Sequence, residues 1–210
     1  MPTHTINGLS SILPVLLFCF ATSITPGPNN IMLMSSGANY GIKKSVPHLL
    51  GINVGFPLMV IIVGLGFGSA LLSYPAIYPV IKTAGISYLL FLAWKIAHSS
   101  APGAVGNSKP LTFIQALLFQ WVNPKAWVMA IGAIASFTSV EKYLVQMLVI
   151  FCGYVVVGGL CMFFWLAVGV SLQKVLQKER HLLFFNRLMA SLLVLSIVPI
   201  LFTELATQVK

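Results

Sequence analysis

Thr25-Pro26-Gly27-Pro28-Asn29-Asn30 interrupts an apolar run that extends from about Leu9 to Tyr40. Two prolines around a glycine remove backbone donors and break an α-helix. In hydrocarbon, the carbonyl and N–H groups freed by a break are costly unless they line a cavity or find protein partners. The break leaves two half-helices. The first ends in carbonyls around Ala21 to Ser23, which carry partial negative charge. The second begins with N–H groups around Asn29 to Met32, which carry partial positive charge. Asn29 and Asn30 add amide donors and acceptors without net charge. The alternative is a kinked helix whose prolines only shape packing.

Composition sets the solvent. Of 210 residues, 58% are hydrophobic and 7% charged, against roughly a quarter charged in a soluble domain. Mean hydropathy is +0.96. A short soluble chain leaves too much surface in water to hide that much apolar area; a bilayer removes the difficulty. Aspartate is absent, and the acids are Glu141, Glu179 and Glu204. The net charge of +9 is no nucleic-acid signature, because the basic residues fall between apolar segments rather than on one face. Cys19, Cys152 and Cys161 sit in apolar stretches without CxxC spacing and read as small buried hydrophobes.

A membrane span takes about 20 apolar residues, and six segments qualify. The first is Leu9 to Tyr40, the second Val46 to Ser73, and after a Tyr74-Pro75 turn the third is Ala76 to Ala97. His98 to Pro110 is a polar linker. The fourth runs from Leu111 to Phe137, the fifth from Tyr143 to Leu172 and the sixth from Leu188 to Ala206. The residues before Leu9 lack Lys and Arg, so the first segment is expected to be a retained helix and not a leader.

With the N-terminus outside, the inner loops hold Lys43, Lys44, Lys95, Lys109, Lys174, Lys178, Arg180 and Arg187; the outer side holds Lys82, Lys142 and Lys210. Eight against three places both termini outside. Each three-helix set (9–97 and 111–206, joined by the linker 98–110) opens with a broken helix, at Pro28 and at Pro124. An odd number of spans per set makes the second copy enter from the opposite face. That is an inverted repeat, as in many secondary transporters.

Asn123-Pro124-Lys125 is the matching break. Lys125 is the charged residue nearest a span centre, where insertion costs about 3 kcal/mol. It meets a substrate carboxylate, or stays deprotonated and moves protons, or caps broken-helix carbonyls or reaches an interface. A zwitterionic amino acid, with ammonium and carboxylate a few ångströms apart, fits a paired carbonyl end and N–H end. Asn53, between Gly51 and Gly55, reads first as part of a close helix contact and second as a cavity residue. Gly64, Gly66 and Gly68 read as packing. His48 follows Pro47 at an inner helix start, where an interfacial position is expected; a proton relay is the alternative. Without aspartate, an intramembrane glutamate or a His/Cys cluster, a carboxylate cation site is unavailable, and no P-loop pattern exists.

The stretch Ser23 to Asn30 resembles the signature of the LysE/RhtB family of bacterial amino-acid exporters. Tyr40-Gly41 before a basic loop, Tyr88-Leu89 through Ala93-Trp94-Lys95, and Asn123-Pro124-Lys125-Ala126 resemble it too. The resemblance covers the chain from about residue 10 onward. It implies efflux of amino acids from the cytoplasm across the inner membrane, coupled to the proton-motive force. The doubled asparagine is most similar to the cysteine and O-acetylserine branch. Many members carry an aspartate at the position of Asn29, which implies that this chain takes neutral rather than basic substrates.

The expectation is therefore an all-α integral membrane protein of six helices in two inverted repeats, with helices 1 and 4 broken. It is expected to be a non-enzymatic exporter with no cofactor and no metal. Its partners would be a small amino acid, protons and lipid. The substrate would be held by Thr25, Pro26, Gly27, Pro28, Asn29, Asn30, Asn53, Asn123, Pro124 and Lys125. The glycine-rich faces serve internal packing or a homodimer. The alternatives are an ion or metal exporter on a related scaffold and a non-transporting membrane protein.

Overall fold

The computed structural model describes residues 8–67, 77–98, 109–196 and 198, which are helical almost throughout, with no strand among them. Helix α1 is Gly8–Ile24 and α2 is Pro28–Ile62. Pro28 takes the first position of α2, where a missing N–H costs nothing, and Gly27 before it is extended. Then follow α3 (Ile77–Ala97), α4 (Phe113–Phe119), α5 (Pro124–Phe137), α6 (Tyr143–Gly153), α7 (Gly159–Ser171) and α8 (Glu179–Leu195). A 3₁₀ turn, Gln120–Val122, leads from α4 to Asn123, which caps α5. A π-helical turn, Tyr154–Gly158, joins α6 to α7 in one continuous run.

Helix α2 is a hairpin. Gly41 sits at φ 75 and ψ 178, a backbone conformation open to glycine. Ser36 Oγ and His48 Nδ1 lie 2.9 Å apart, although twelve residues of straight helix would separate them by about 18 Å. The chain therefore turns back at Gly41, giving a first arm (28–40) and a second arm (42–62). Its apolar length, Pro28–Gly66, suffices to cross a bilayer, but the turn divides that length in two. Val140–Gln177 is likewise long and apolar enough to cross a bilayer.

Glycines set how closely the helices approach. A Cβ on Gly37 would run into the Leu166 carbonyl, and one on Gly169 into the Met34 carbonyl, so the first arm and α7 cross in backbone contact. Gly51 and Gly55 face the backbone of α4 at Phe113 and Leu117. Gly66 differs from the packing role expected: it has φ 115, a conformation that side chains rarely adopt, in the π-helical turn Val63–Phe67, with nothing near its Cβ position. Gly68 lies outside the described residues.

The buried side chains form two apolar clusters. One joins Met32 and Ile52 of α2 to Leu89, Phe119, Met162 and Met189. The other joins Cys19 to Phe56, Met59, Ala130, Ile150 and Tyr154. Outer faces are apolar as well: Leu17, Leu118, Val128, Leu144, Leu160 and Phe184 are all more than half exposed. Soluble proteins rarely show that much contiguous apolar surface.

Three expectations need correction. The last helix begins at Glu179, well before the expected Leu188. Its first turns are amphipathic, burying Leu182, Phe185 and Asn186 while Arg180 and Arg187 stay exposed, so a hydropathy window misses them. His48 is 1% exposed rather than interfacial, because the hairpin folds Ser36 over it. Cys152 is exposed, whereas Cys19 and Cys161 are buried. The Tyr74-Pro75 turn, the linker residues 99–108, the side chain of Lys82, Lys210 and the end of the sixth segment lie outside the described residues.

Candidate functional site

The end of α1 leaves carbonyls without helical partners, and the structure supplies a side-chain donor to each of five consecutive ones. Thr25 Oγ1 donates to the Thr22 carbonyl at 3.0 Å. Asn30 Nδ2 donates to Ser23 at 2.8 Å, and Trp165 Nε1 to Ile24 at 3.2 Å. Lys125 Nζ donates to the Thr25 carbonyl at 2.5 Å and Thr25 Oγ1 at 2.9 Å, and more weakly to the Pro26 carbonyl at 3.4 Å. The carbonyl end is thus occupied, in part by the Lys125 ammonium from the second break, which is the capping contact given above as one reading of that lysine.

The start of α2 is treated differently. No side chain caps it, so the N–H groups of its first turn keep their partial positive charge unanswered by a cap. The corresponding start of α5 is capped, since Asn123 Oδ1 accepts from the Lys125 N–H at 3.1 Å. The two breaks are therefore chemically unequal. Gly27 bears on this: its missing Cβ leaves room for the Lys125 stem, whose Cδ would otherwise lie 2.6 Å away.

A second link joins the breaks. Asn29 Nδ2 donates to Gln120 Oε1 at 2.8 Å, and Gln120 Nε2 returns a bond to Asn29 Oδ1 at 3.2 Å. Gln120 also donates to the Ala116 carbonyl at 2.9 Å and is wholly buried. Its amide has found partners for both ends, as a buried amide must.

Between the breaks lies a cavity of about 30 Å³, room for one or two waters. Thr22, Asn29, Asn53, Asn123, Lys125 and Tyr154 form its polar wall. Ile52, Phe56, Met129 and Met162 form its apolar wall. It sits where the two apolar clusters meet, since Ile52 and Met162 belong to one and Phe56 and Tyr154 to the other. Lys125 is the charged member of the lining.

Of the residues singled out in the sequence, Asn29, Asn30, Asn53, Asn123 and Lys125 line this cavity. Asn30 uses its amide N–H on Ser23. Asn53 lies against Gly159, whose Cβ would come 2.8 Å from its Oδ1, so the asparagine packs and faces the cavity at once. Thr25 and Pro26 are exposed beside Lys125. Gly27, Pro28 and Pro124 shape the backbone without lining the space.

Sequence reasoning missed Thr22, Gln120, Tyr154 and Trp165. Tyr154 is 1% exposed, its hydroxyl lies 3.3 Å from Thr22 Oγ1, and its ring meets Phe56 edge-on at 4.7 Å. It opens the π-helical turn, a distortion often found at functional sites. A tyrosine inside an apolar span just before Gly158-Gly159 was the available signal. Gln120 was visible as an amide three residues before Asn123-Pro124. Trp165 carried no signal of its own.

The LysE type translocator family matches residues 20–200 of the chain. The cysteine/O-acetylserine efflux protein of Escherichia coli (strain K12) is 31% identical over 90% of this chain and 99% of its own length. The protein of the same name from Shigella flexneri serotype 5b (strain 8401) is 31% identical over the same shares. No solved structure matches. With a translocator family covering most of its length and apolar faces on its outer helices, this membrane protein belongs to the LysE type translocator family.

Proposed function

We propose that the protein exports small neutral amino acids or their derivatives, of the cysteine, O-acetylserine, homoserine and threonine type, from the cytoplasm across the bacterial inner membrane. The observation that carries the reading is Lys125 Nζ on the Thr25 carbonyl. A primary ammonium already occupies the end of α1, and the substrate brings the same chemical group. The substrate carboxylate draws Lys125 toward the uncapped start of α2, and the substrate ammonium takes over the vacated carbonyl. One ammonium replaces another, so the exchange strands no buried charge.

The apolar wall of Ile52, Phe56, Met129 and Met162 suits a short uncharged side chain. A basic side chain would enter a lining that offers it no carboxylate. The present space is about 30 Å³, too small for an amino acid, so binding requires Lys125 and the methionines to move, consistent with alternating access. Six spans in two inverted repeats accommodate this: α1 with the first arm of α2, the second arm, α3, α4 with α5, α6 with α7, and α8. Residues 9–97 and 111–206 are then the two halves, both termini face the periplasm, and the proton-motive force drives export. A homodimer would use faces other than Gly51 and Gly55, which α4 covers.

The test is uptake into inverted membrane vesicles of cysteine, O-acetylserine, homoserine, threonine and lysine, with and without a proton gradient. Gradient-dependent uptake of a neutral member is expected. Failure across the whole panel, with the protein correctly inserted, would overturn the reading.

A further inference from the structure

A second cavity lies between the two arms of α2, α3 and the segment leading into α4. Ser35, Ser36, Tyr40, His48, Lys95 and Lys109 form its polar lining, and no carboxylate is among the described residues that line it. His48 is buried, with Nδ1 2.9 Å from Ser36 Oγ and Nε2 without a partner. An unpaired buried polar atom costs about 1–3 kcal/mol, a penalty that a ligand would relieve. In the tautomer where Ser36 donates to Nδ1, Nε2 presents its N–H. The hydroxyls of Ser35 and Tyr40 and the two lysines then give a lining rich in donors and positive in sign, which concentrates anions.

The placement is informative. His48 precedes the first cavity's Asn53 by five residues on the second arm, about 7 Å of helix rise. Ser36 follows the first cavity's Asn29 by seven residues on the first arm, about 10 Å. The two cavities are successive stations along the same hairpin. The second one lies toward the Lys43-Lys44 end, which the charge distribution puts in the cytoplasm.

We propose that this second cavity is a first-contact subsite that takes the carboxylate of the exported amino acid before it moves to the break; the proposal rests on the export reading. The subsite favours the carboxylate, because its described lining holds two lysines and no carboxylate to balance an ammonium. Substrate would pass from His48 and the lysines to Lys125 and the start of α2, keeping a cationic partner at each station.

The test uses inverted vesicles, whose cytoplasmic face meets the medium, and O-acetylserine as the transported probe. N-acetylserine, which keeps the carboxylate but lacks the ammonium, is expected to inhibit competitively, and serinamide is not. In His48→Leu the KM should rise about tenfold, the effect of one lost charge-assisted hydrogen bond, with Vmax within about twofold. Lys109 is exposed, so Lys109→Gln serves as a variant that folds. It should raise KM severalfold, and Lys109→Glu should raise it further. Unchanged KM in the His48 and Lys109 variants, with transport intact and N-acetylserine inert, would overturn the subsite and leave export standing. A displaced pH profile at unchanged KM would assign His48 to proton handling and also overturn it. Absence of O-acetylserine and other amino-acid transport by the unaltered protein would remove both readings together.

Discussion

Replacing Gly27 by alanine tests the placement of Lys125 with little other disturbance. Gly27 lies at φ −174 and ψ −179, extended backbone that alanine adopts freely, so no strain is introduced. The added Cβ would stand 2.6 Å from Lys125 Cδ and 3.1 Å from Nζ. Carbon atoms in contact sit at about 3.5–4.0 Å, so the lysine stem must retreat by about 1 Å. Nζ is held 2.9 Å from Thr25 Oγ1, and a shift of that size carries it beyond hydrogen-bonding range. The obstacle is a flexible side chain, so the helices need not move and the melting temperature should fall by no more than a few degrees. Loss of the ammonium's position should cost about 1–2 kcal/mol, a 5- to 30-fold drop in export at limiting substrate. Radiotracer efflux from proteoliposomes containing Gly27→Ala, Lys125→Ala and the double variant reads this directly. Because both substitutions act through one group, the double variant should be no worse than Lys125→Ala alone. Export by Gly27→Ala within twofold of the unaltered protein would refute the reasoning. So would an equal cost for Gly27→Ala when Lys125 is already gone.

The clasp between the breaks gives a second test. Gln120→Leu removes both bonds to Asn29 and should lower stability by about 1–3 kcal/mol, read as a fall in melting temperature in detergent. The pair Asn29→Leu with Gln120→Leu should cost less than the two effects added, since no amide is then left unmatched. Gly169→Val drives side-chain atoms into the Met34 carbonyl, and little monodisperse protein should emerge from size-exclusion chromatography. Gly132→Ala meets Phe18 at an ordinary 3.5 Å and should behave as the unaltered protein in the same run.

Much of this protein follows from local chemistry and is legible residue by residue. The bilayer as solvent comes from 58% hydrophobic composition. The helix ends at Ile24 and Val122 come from prolines that cannot donate, and the starts at Pro28 and Pro124 from prolines that need not. A reversal near Tyr40-Gly41 was implied by the lysines that follow. None of these depends on what lies elsewhere in the chain, because a missing N–H acts on its own turn of helix.

Which group answers each freed carbonyl was a different matter. Lys125 reaches Thr25 across 100 residues of sequence, Trp165 reaches Ile24 across 141, and Gln120 meets Asn29 across 91. Each partner is selected by where the helices pack, and that packing rests on glycine contacts such as Gly37 with Leu166 and Gly169 with Met34. A broken helix announces unsatisfied polarity wherever prolines cluster, but the satisfaction of that polarity is a property of the assembled bundle. Position along the chain therefore settled where the backbone opens, and three-dimensional packing alone settled that an ammonium fills the opening.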